Sequence, residues 1–167
     1  ETMLRLLPDR PDVVAVMMGG VTEDNRKFAD DLSAKARAAG LADRILFLPE
    51  EKHWDISPWF KALDLYIAPQ RWEGFGLTPL EAMACGVPVV ATRAGAFEDL
   101  VADGQTGRLV DIGDIDALTN ATSELLDNPE MRAQWSANAV RHVEAHFRIE
   151  NEADAINKIY WELLKAS

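Results

Sequence analysis

The sequence predicts an α/β fold with a doubly wound parallel sheet and a helical C-terminal end. Short apolar runs rich in β-branched residues alternate with longer segments in which apolar residues recur with a helical period. Runs such as residues 13–18 and 87–91 are almost wholly apolar, which is expected of strands whose two faces are both covered by helices. From Asp114, which is predicted as an N-cap before an acidic first turn, the pattern is helical only, and this predicts the helical end.

The alternating pattern places each element in chain order. Strands are predicted at residues 13–18, 45–48, 65–68, 87–91 and 108–110. Helices are predicted at residues 25–39, from Ser57 and Pro58, at 79–85 with a stop at Gly86, at 97–101, at 117–126, at 129–146 after an Asn128 cap, and at 151–165. Because the strands are so apolar, we expect them to lie inside the sheet and not at its edges.

The two ends of the chain indicate a piece of a longer protein. Met3, Leu4, Leu6 and Leu7 have helical spacing directly after Glu1, without an N-cap signal. In the last predicted helix, an apolar stripe must dock either on this sheet or on another domain; it consists of Ile156, Ile159, Tyr160, Leu163 and Leu164. We therefore expect the 167 residues to form one domain that is cut from a larger chain.

Composition excludes several classes of protein. The chain has 17 Lys plus Arg against 28 Asp plus Glu, a net charge of −11, and 48% apolar residues. Such a chain is folded, and it offers no basic face for nucleic acid or for an anionic membrane. The single cysteine, Cys85, cannot form an intrachain disulfide, and the sequence has neither a secretion signal nor an apolar run that could span a bilayer. We expect a cytoplasmic protein, in which any basic surface for a membrane lies in the part outside this chain.

Two kinds of site are disfavoured by incomplete motifs. Gly19-Gly20 and Gly74-Phe75-Gly76 follow predicted strands, but neither completes the dinucleotide motif G-x-G-x-x-G, and there is no P-loop. His142 and His146 could share one helical face, yet no third metal ligand is evident, so a packed or solvated pair is favoured.

Residues 69–92 carry the functional signal. They join the end of a strand, a glycine loop and the start of a helix. Thr78 is predicted as the N-cap, with Pro79 at the first helical position and Glu81 completing a Thr-x-x-Glu capping box. Free amides of this turn would face out at the carboxyl edge of the sheet, where phosphate binds well.

Glu73 and Glu81 would flank this anion site. Two carboxylates repel a phosphate unless they face hydroxyl groups, so a ligand with polyhydroxyl rings on both sides of a pyrophosphate fits best. That description is a nucleotide sugar. Simpler roles remain open: Glu81 as a helix cap only, Glu73 as an exposed loop acid, and the glycines as a tight turn.

The segment from Glu73 to Glu81 (EGFGLTPLE), followed by AMACGVPVVAT, resembles the E-x7-E signature of retaining GT-B glycosyltransferases of the group 1 family. The resemblance extends over essentially the whole chain, including residues 45–48, 62–66 and 98–110. The sequence Pro69-Gln70-Arg71-Trp72 is most similar to that of mannosyltransferases of lipopolysaccharide core synthesis. It implies a Rossmann-like C-terminal half of a GT-B fold, spanning residues 1–167, that lacks its first strand and the N-terminal acceptor domain.

The resemblance also implies roles for individual residues. Glu73 would contact the hydroxyls of the transferred sugar and stabilise positive charge at its anomeric carbon, and Glu81 would accept hydrogen bonds from the ribose. Four backbone positions, with Thr78 beside them, would hold sugar and pyrophosphate: Gly74, Phe75, Gly76 and Leu77. The base would lie near Leu48, Glu50 and Glu51, although Pro49 replaces the glycine usual in the family.

One departure from the family pattern limits the activity expected of this chain. The Arg and Lys that neutralise the departing nucleoside diphosphate lie upstream in family members and are absent here, so we expect the isolated chain to bind donor weakly and to transfer nothing. Arg71 and Arg93 are the candidate cations within it. No cofactor and no metal are implied.

The expected function is therefore the donor-binding half of a hexosyltransferase. It would move a hexosyl unit, mannose from GDP-mannose, to a glycan or lipid-linked acceptor such as the lipopolysaccharide core, which the absent domain would hold. A UDP-sugar-dependent enzyme of the same family and a non-catalytic interaction module of the same fold are the alternatives.

Overall fold

Parallel β-strands alternate with α-helices along the described chain, which in this computed structural model comprises residues 1–52 and 56–165. The strands are β1 (Ala15–Met18), β2 (Ile45–Leu48), β3 (Tyr66–Ala68), β4 (Val89–Thr92) and β5 (Gly107–Val110). The helices are α1 (Thr2–Leu6), α2 (Arg26–Ala38), α3 (Ser57–Lys61), α4 (Leu77–Ala84), α5 (Phe97–Leu100), α6 (Ile115–Asp127), α7 (Pro129–His146) and α8 (Ile149–Lys165). Every predicted strand and helix is confirmed, with ends that move by no more than two residues.

The strands form two parallel sheets. β1 pairs with β2, while β4 lies between β3 and β5, so that Val89 is opposite both Tyr66 and Gly107. The predicted class, parallel strands covered by helices, is confirmed. Within the described residues no strand bridges β1 and β3, so each of these strands keeps one edge without a strand partner.

Burial differs sharply between the two sheets. All four residues of β4 are buried, because Val89 and Ala91 pack with α4 and α5 on one face and Val90 packs with α6 and α7 on the other. In β1, by contrast, Val16 and Met17 are exposed. The expectation that every strand is central is thus confirmed for β4 and wrong for β1, whose only strand partner in the described chain is β2.

The helices at the start and end of the chain differ in what they contact. The turn after α1 buries Leu7 against Ala36 of α2 and Ile45 of β2. The N-caps of the late helices are confirmed: Asp114 accepts a hydrogen bond of 2.8 Å from the Ala117 amide, and Asn128 one of 2.9 Å from the Met131 amide.

The final helix, α8, is exposed along its whole described length, including its apolar stripe. The stripe therefore does not dock on either sheet of the described chain. No helix among residues 1–52 and 56–165 combines the length and the apolar character that crossing a membrane requires.

Candidate functional site

The loop of residues 69–76 leaves the carboxyl end of β3 and leads directly into α4. The carboxyl edge of a parallel sheet is where α/β proteins usually bind ligands. Next to this loop lies the turn that follows β4, residues 93–96, since both strands run in the same direction. The candidate site is built from these two loops.

Glu73 organises the first loop. Its Oε1 atom accepts three backbone hydrogen bonds, from the amides of Gly74 at 2.9 Å, Phe75 at 3.2 Å and Gly76 at 3.1 Å. Three successive amides that converge on one oxygen form an anion-binding nest, and here the chain's own carboxylate occupies it. The amides that the sequence assigns to the ligand are therefore preorganised around a negative charge.

Helix α4 begins earlier than the capping-box motif predicts. Its N-cap is Gly76, and Leu77 is the first helical residue, so the prediction of Thr78 as N-cap and Glu81 as its capping-box partner is wrong. The reason lies in the backbone: Gly76 has φ +90°, and a Cβ at this position would lie 2.8 Å from the Phe97 ring. A left-handed glycine packed against Phe97 fixes the start of the helix, and the Glu73 carboxylate accepts the hydrogen bond from the amide of that N-cap glycine.

Tyr66 links the two acidic residues of the motif. Its phenol is largely buried, and this burial is the main reason why its pKa lies above the ordinary value. The negative charges of Glu73 and Glu81 raise the pKa further, and hydrogen bonding with the Thr78 side chain opposes them. The charges of both acids of the motif therefore act on the Tyr66 hydroxyl, which hydrogen bonds with the Thr78 side chain.

Sequence reasoning did not find Tyr66. The only signal was a hydroxyl-bearing residue in an otherwise apolar strand directly before the motif. Tyr66 packs edge-to-face against Phe60, with ring centroids 6.1 Å apart, so its ring also belongs to the core.

Gly95 is a second residue that the sequence analysis missed. A Cβ on Gly95 would lie 2.1 Å from the backbone oxygen of Glu73, and its φ is +54°. Only glycine allows the turn after β4 to approach the Glu73 backbone this closely. Gly95 therefore sets the position from which the Glu73 side chain reaches its amides.

A second depression lies at the carboxyl ends of β1 and β2. This cavity of about 450 Å³ is lined by Gly19, Gly20, Val21, Phe47, Leu48, Pro49 and Glu50. Leu48 and Glu50, both predicted to meet the base, are thus brought together, whereas Glu51 is not among the lining residues. Gly19 and Gly20, which do not form a dinucleotide motif, line one side of this cavity. The Glu50 side chain lies against Gly20, since a Cβ on Gly20 would be 2.7 Å from Oε2 of Glu50.

The two candidate cations differ in their surroundings. Arg93 is held by Asp103 at 3.0 Å and faces Asp111 at 3.8 Å, so its charge is largely balanced. Arg71 is exposed and forms no ion pair with any residue that the structure describes. Across residues 1–52 and 56–165 there is also no group of three or more His, Cys, Asp or Glu residues placed to hold a metal ion.

Parallel strands, helices on both faces and an amide nest at the start of a helix define a Rossmann-like ligand-binding domain. The particular family follows from comparison with known proteins. The family model described as glycosyl transferases group 1 matches residues 2–142, and the chain belongs to this family.

Relatives and solved structures agree with this membership. The chain is 47% identical to the lipopolysaccharide core biosynthesis mannosyltransferase LpsB of Rhizobium meliloti, over 99% of this chain and 47% of that protein. The C-terminal domain of a glycosyl transferase group 1 protein, LpcC, from Francisella tularensis has a TM-score of 0.83 and 30% identity, covering 89% of this chain and 76% of that one. The fold predicted from the resemblance, the C-terminal half of a GT-B glycosyltransferase, is confirmed.

A further structure was solved with a nucleotide. Anabaena HepE in complex with UDP has a TM-score of 0.85 and 27% identity, covering 99% of this chain and 44% of that chain. The present chain spans about half the length of the two curated lipopolysaccharide core mannosyltransferases that it matches, 47% and 46%.

Proposed function

We propose that this chain is the donor-binding half of a retaining hexosyltransferase, which moves mannose from GDP-mannose to a glycan or lipopolysaccharide-core acceptor. The observation that carries the proposal is the amide nest closed by Glu73 at the start of α4. Such a nest suits the pyrophosphate or the sugar oxygens of the donor. Family membership and the similarity to a lipopolysaccharide core mannosyltransferase support the reaction class and the sugar.

Each predicted site residue except Glu51, which does not line the cavity, has a role in this proposal. When the donor binds, the Glu73 carboxylate gives up some or all of its hydrogen bonds from the loop amides. It then faces the sugar hydroxyls and stabilises positive charge at the anomeric carbon. Gly74, Phe75, Gly76 and Leu77 then supply backbone amides, with the Thr78 hydroxyl beside them. Glu81 accepts hydrogen bonds from the ribose, and the base enters the cavity beside Leu48 and Glu50.

The domain boundaries belong to the same proposal. We take residues 1–167 as a domain whose first strand and whose acceptor-binding partner domain lie outside this chain. The unpaired edges of β1 and β3 support this, because one added parallel strand between them would join the two sheets. The isolated chain is then inactive, since the cations that neutralise the leaving group would also lie outside it.

Catalysis without a metal or cofactor is likewise part of the proposal. Amide dipoles, together with cations from outside the chain, would hold the pyrophosphate. Excess EDTA should therefore leave transfer by the full-length protein unchanged. A cytoplasmic location, with peripheral contact at the inner membrane through other parts of the protein, completes the proposal.

A UDP-sugar donor is the second candidate, favoured by the similarity to HepE, which was solved with UDP. Titrating the full-length protein with GDP-mannose, UDP-glucose and UDP-galactose while following the melting temperature separates the two, because a bound ligand stabilises the folded state. Stabilisation by GDP-mannose alone supports the main proposal. Stabilisation by a UDP-sugar alone supports the second, and no stabilisation by any of the three indicates a non-catalytic module.

A further inference from the structure

The donor loop carries a large aromatic ring that the proposed donor site does not use. Trp72, directly before Glu73, is 80% exposed. No other large apolar side chain in the described part of the chain is more exposed. Its ring is nevertheless placed: a Cβ on Gly74 would lie 3.5 Å from Cη2 of Trp72. The indole therefore lies close to Gly74, at the loop that Glu73 organises.

The exposed surface continues beyond Trp72. Phe75 is 54% exposed and Leu77 is 63% exposed, so residues 72–77, which include the three amides of the nest, carry three exposed large apolar side chains. Isolated apolar residues on a surface need no explanation, but several on one short loop at a candidate site mark a binding surface. Leaving an indole in water also forgoes about 2 kcal/mol or more of burial.

From this arrangement we infer that Trp72 is the stacking platform for the acceptor sugar, an inference that rests on the proposed function. The acceptor hydroxyl must reach the anomeric carbon that Glu73 faces, and Trp72, the residue directly before Glu73, has its ring beside Gly74 of the same loop. The C–H groups on one face of a hexose carry partial positive charge and pack on the negative face of an indole. The donor does not compete for this surface, since in the proposed function its base enters the cavity at the carboxyl ends of β1 and β2 and its sugar faces Glu73.

The decisive experiment uses the full-length protein and its Trp72→Ala and Trp72→Phe variants, with GDP-mannose as donor and deacylated lipopolysaccharide core oligosaccharide as acceptor. We expect Trp72→Ala to raise the acceptor KM about tenfold and to leave the KM for donor hydrolysis unchanged, while Trp72→Phe retains most of the affinity. Phe28→Ala, which removes an aromatic ring 65% exposed on α2, is the matched control and should behave as the parent.

An NMR titration of the Trp72 indole N–H with the same oligosaccharide, without donor, separates failure of this inference from failure of the proposed function. If the oligosaccharide shifts the indole signal in a protein that does not bind GDP-mannose, the inference that Trp72 binds the acceptor stands and the proposed donor is rejected. Three results would overturn the inference: an unchanged acceptor KM in Trp72→Ala, an equal rise in donor KM, or an indole proton already protected from exchange before sugar is added. The last would show that another part of the protein covers Trp72.

Discussion

The Glu73 carboxylate accepts a hydrogen bond of 3.1 Å from the amide of Gly76, the residue that caps helix α4. One side chain therefore holds both the catalytic loop proposed here and the start of the helix that carries Glu81. A charge-assisted bond of this kind contributes more to stability than a neutral one. A substitution of Glu73 that removes this acceptor oxygen consequently affects the fold as well as the chemistry, and the two effects must be separated.

Two substitutions of Glu73 separate these effects. Glu73→Ala leaves three amides without their acceptor and should lower the free energy of unfolding by about 1–2 kcal/mol, as measured by urea denaturation. Glu73→Gln keeps a carbonyl oxygen for the amides but removes the negative charge. If that charge stabilises the transition state, Glu73→Gln should lose about 100-fold or more in kcat at nearly parental stability. A glutamine variant that turns over like the parent would reduce Glu73 to a structural cap.

Glu81 should matter for binding more than for turnover. Replacing it by alanine removes the proposed acceptor for the ribose hydroxyls, which should weaken GDP-mannose binding about 10- to 100-fold in calorimetry. Glu144→Ala is the control, since Glu144 is an exposed acid on α7 and its loss changes the net charge equally. Equal affinities of Glu81→Ala and Glu144→Ala for the donor would remove Glu81 from the site.

Gly95 tests whether the backbone position of Glu73 limits activity. Gly95→Ala brings a Cβ into contact with the Glu73 carbonyl oxygen, so the loop must move. We expect the free energy of unfolding to fall by about 2 kcal/mol and the activation free energy that corresponds to kcat to rise by more than this. Gly40→Ala is the matched control, because Gly40 also has a left-handed φ of +70° but no atom within 4 Å of the added Cβ. Gly40→Ala should cost about 1 kcal/mol of stability and leave kcat unchanged. Similar kcat values in the two variants would contradict the positioning role.

His142 predicts a pH dependence of stability. Burial, and secondly the charge of His146, hold the pKa of His142 below its ordinary value, against the opposing effect of a hydrogen bond with the Leu100 backbone. The unfolded chain thus binds this proton at higher pH than the folded one, so stability is lost as the pH falls below about 6.5. His142→Leu should weaken this loss in urea titrations between pH 7.5 and 5. A variant that loses as much stability as the parent would assign the effect to other groups.

Much of the fold follows from sequence because local signals and packing agree. The alternation of apolar runs and helical segments placed each strand and helix, and Asp114 and Asn128 were identifiable as caps from their own chemistry. The cap of α4 was not, because Gly76 takes that role through its left-handed backbone and its packing against Phe97, a residue 21 positions later in the sequence. Pairing of β1 away from β3 was equally hidden, since periodicity does not specify strand neighbours.

The candidate site shows the same division. Glu73, Glu81 and the glycine loop could be chosen from their spacing, and Leu48 and Glu50 do line a cavity. Gly95 and Tyr66 could not be chosen, because their importance depends on contacts between separate elements. The hydrogen bonds from the loop amides to Glu73 depend on the folded shape of the loop, which the spacing of the motif does not specify.

The central claim is that the donor binds over the amide nest at the start of α4. Hydrogen–deuterium exchange of the full-length protein, with and without saturating GDP-mannose, measures this most directly. We predict slower exchange in peptides that cover residues 73–81 and 47–50, with little change in α8. Bound donor that protects only other segments, and leaves the amides of residues 74–77 exchanging as before, would contradict the account.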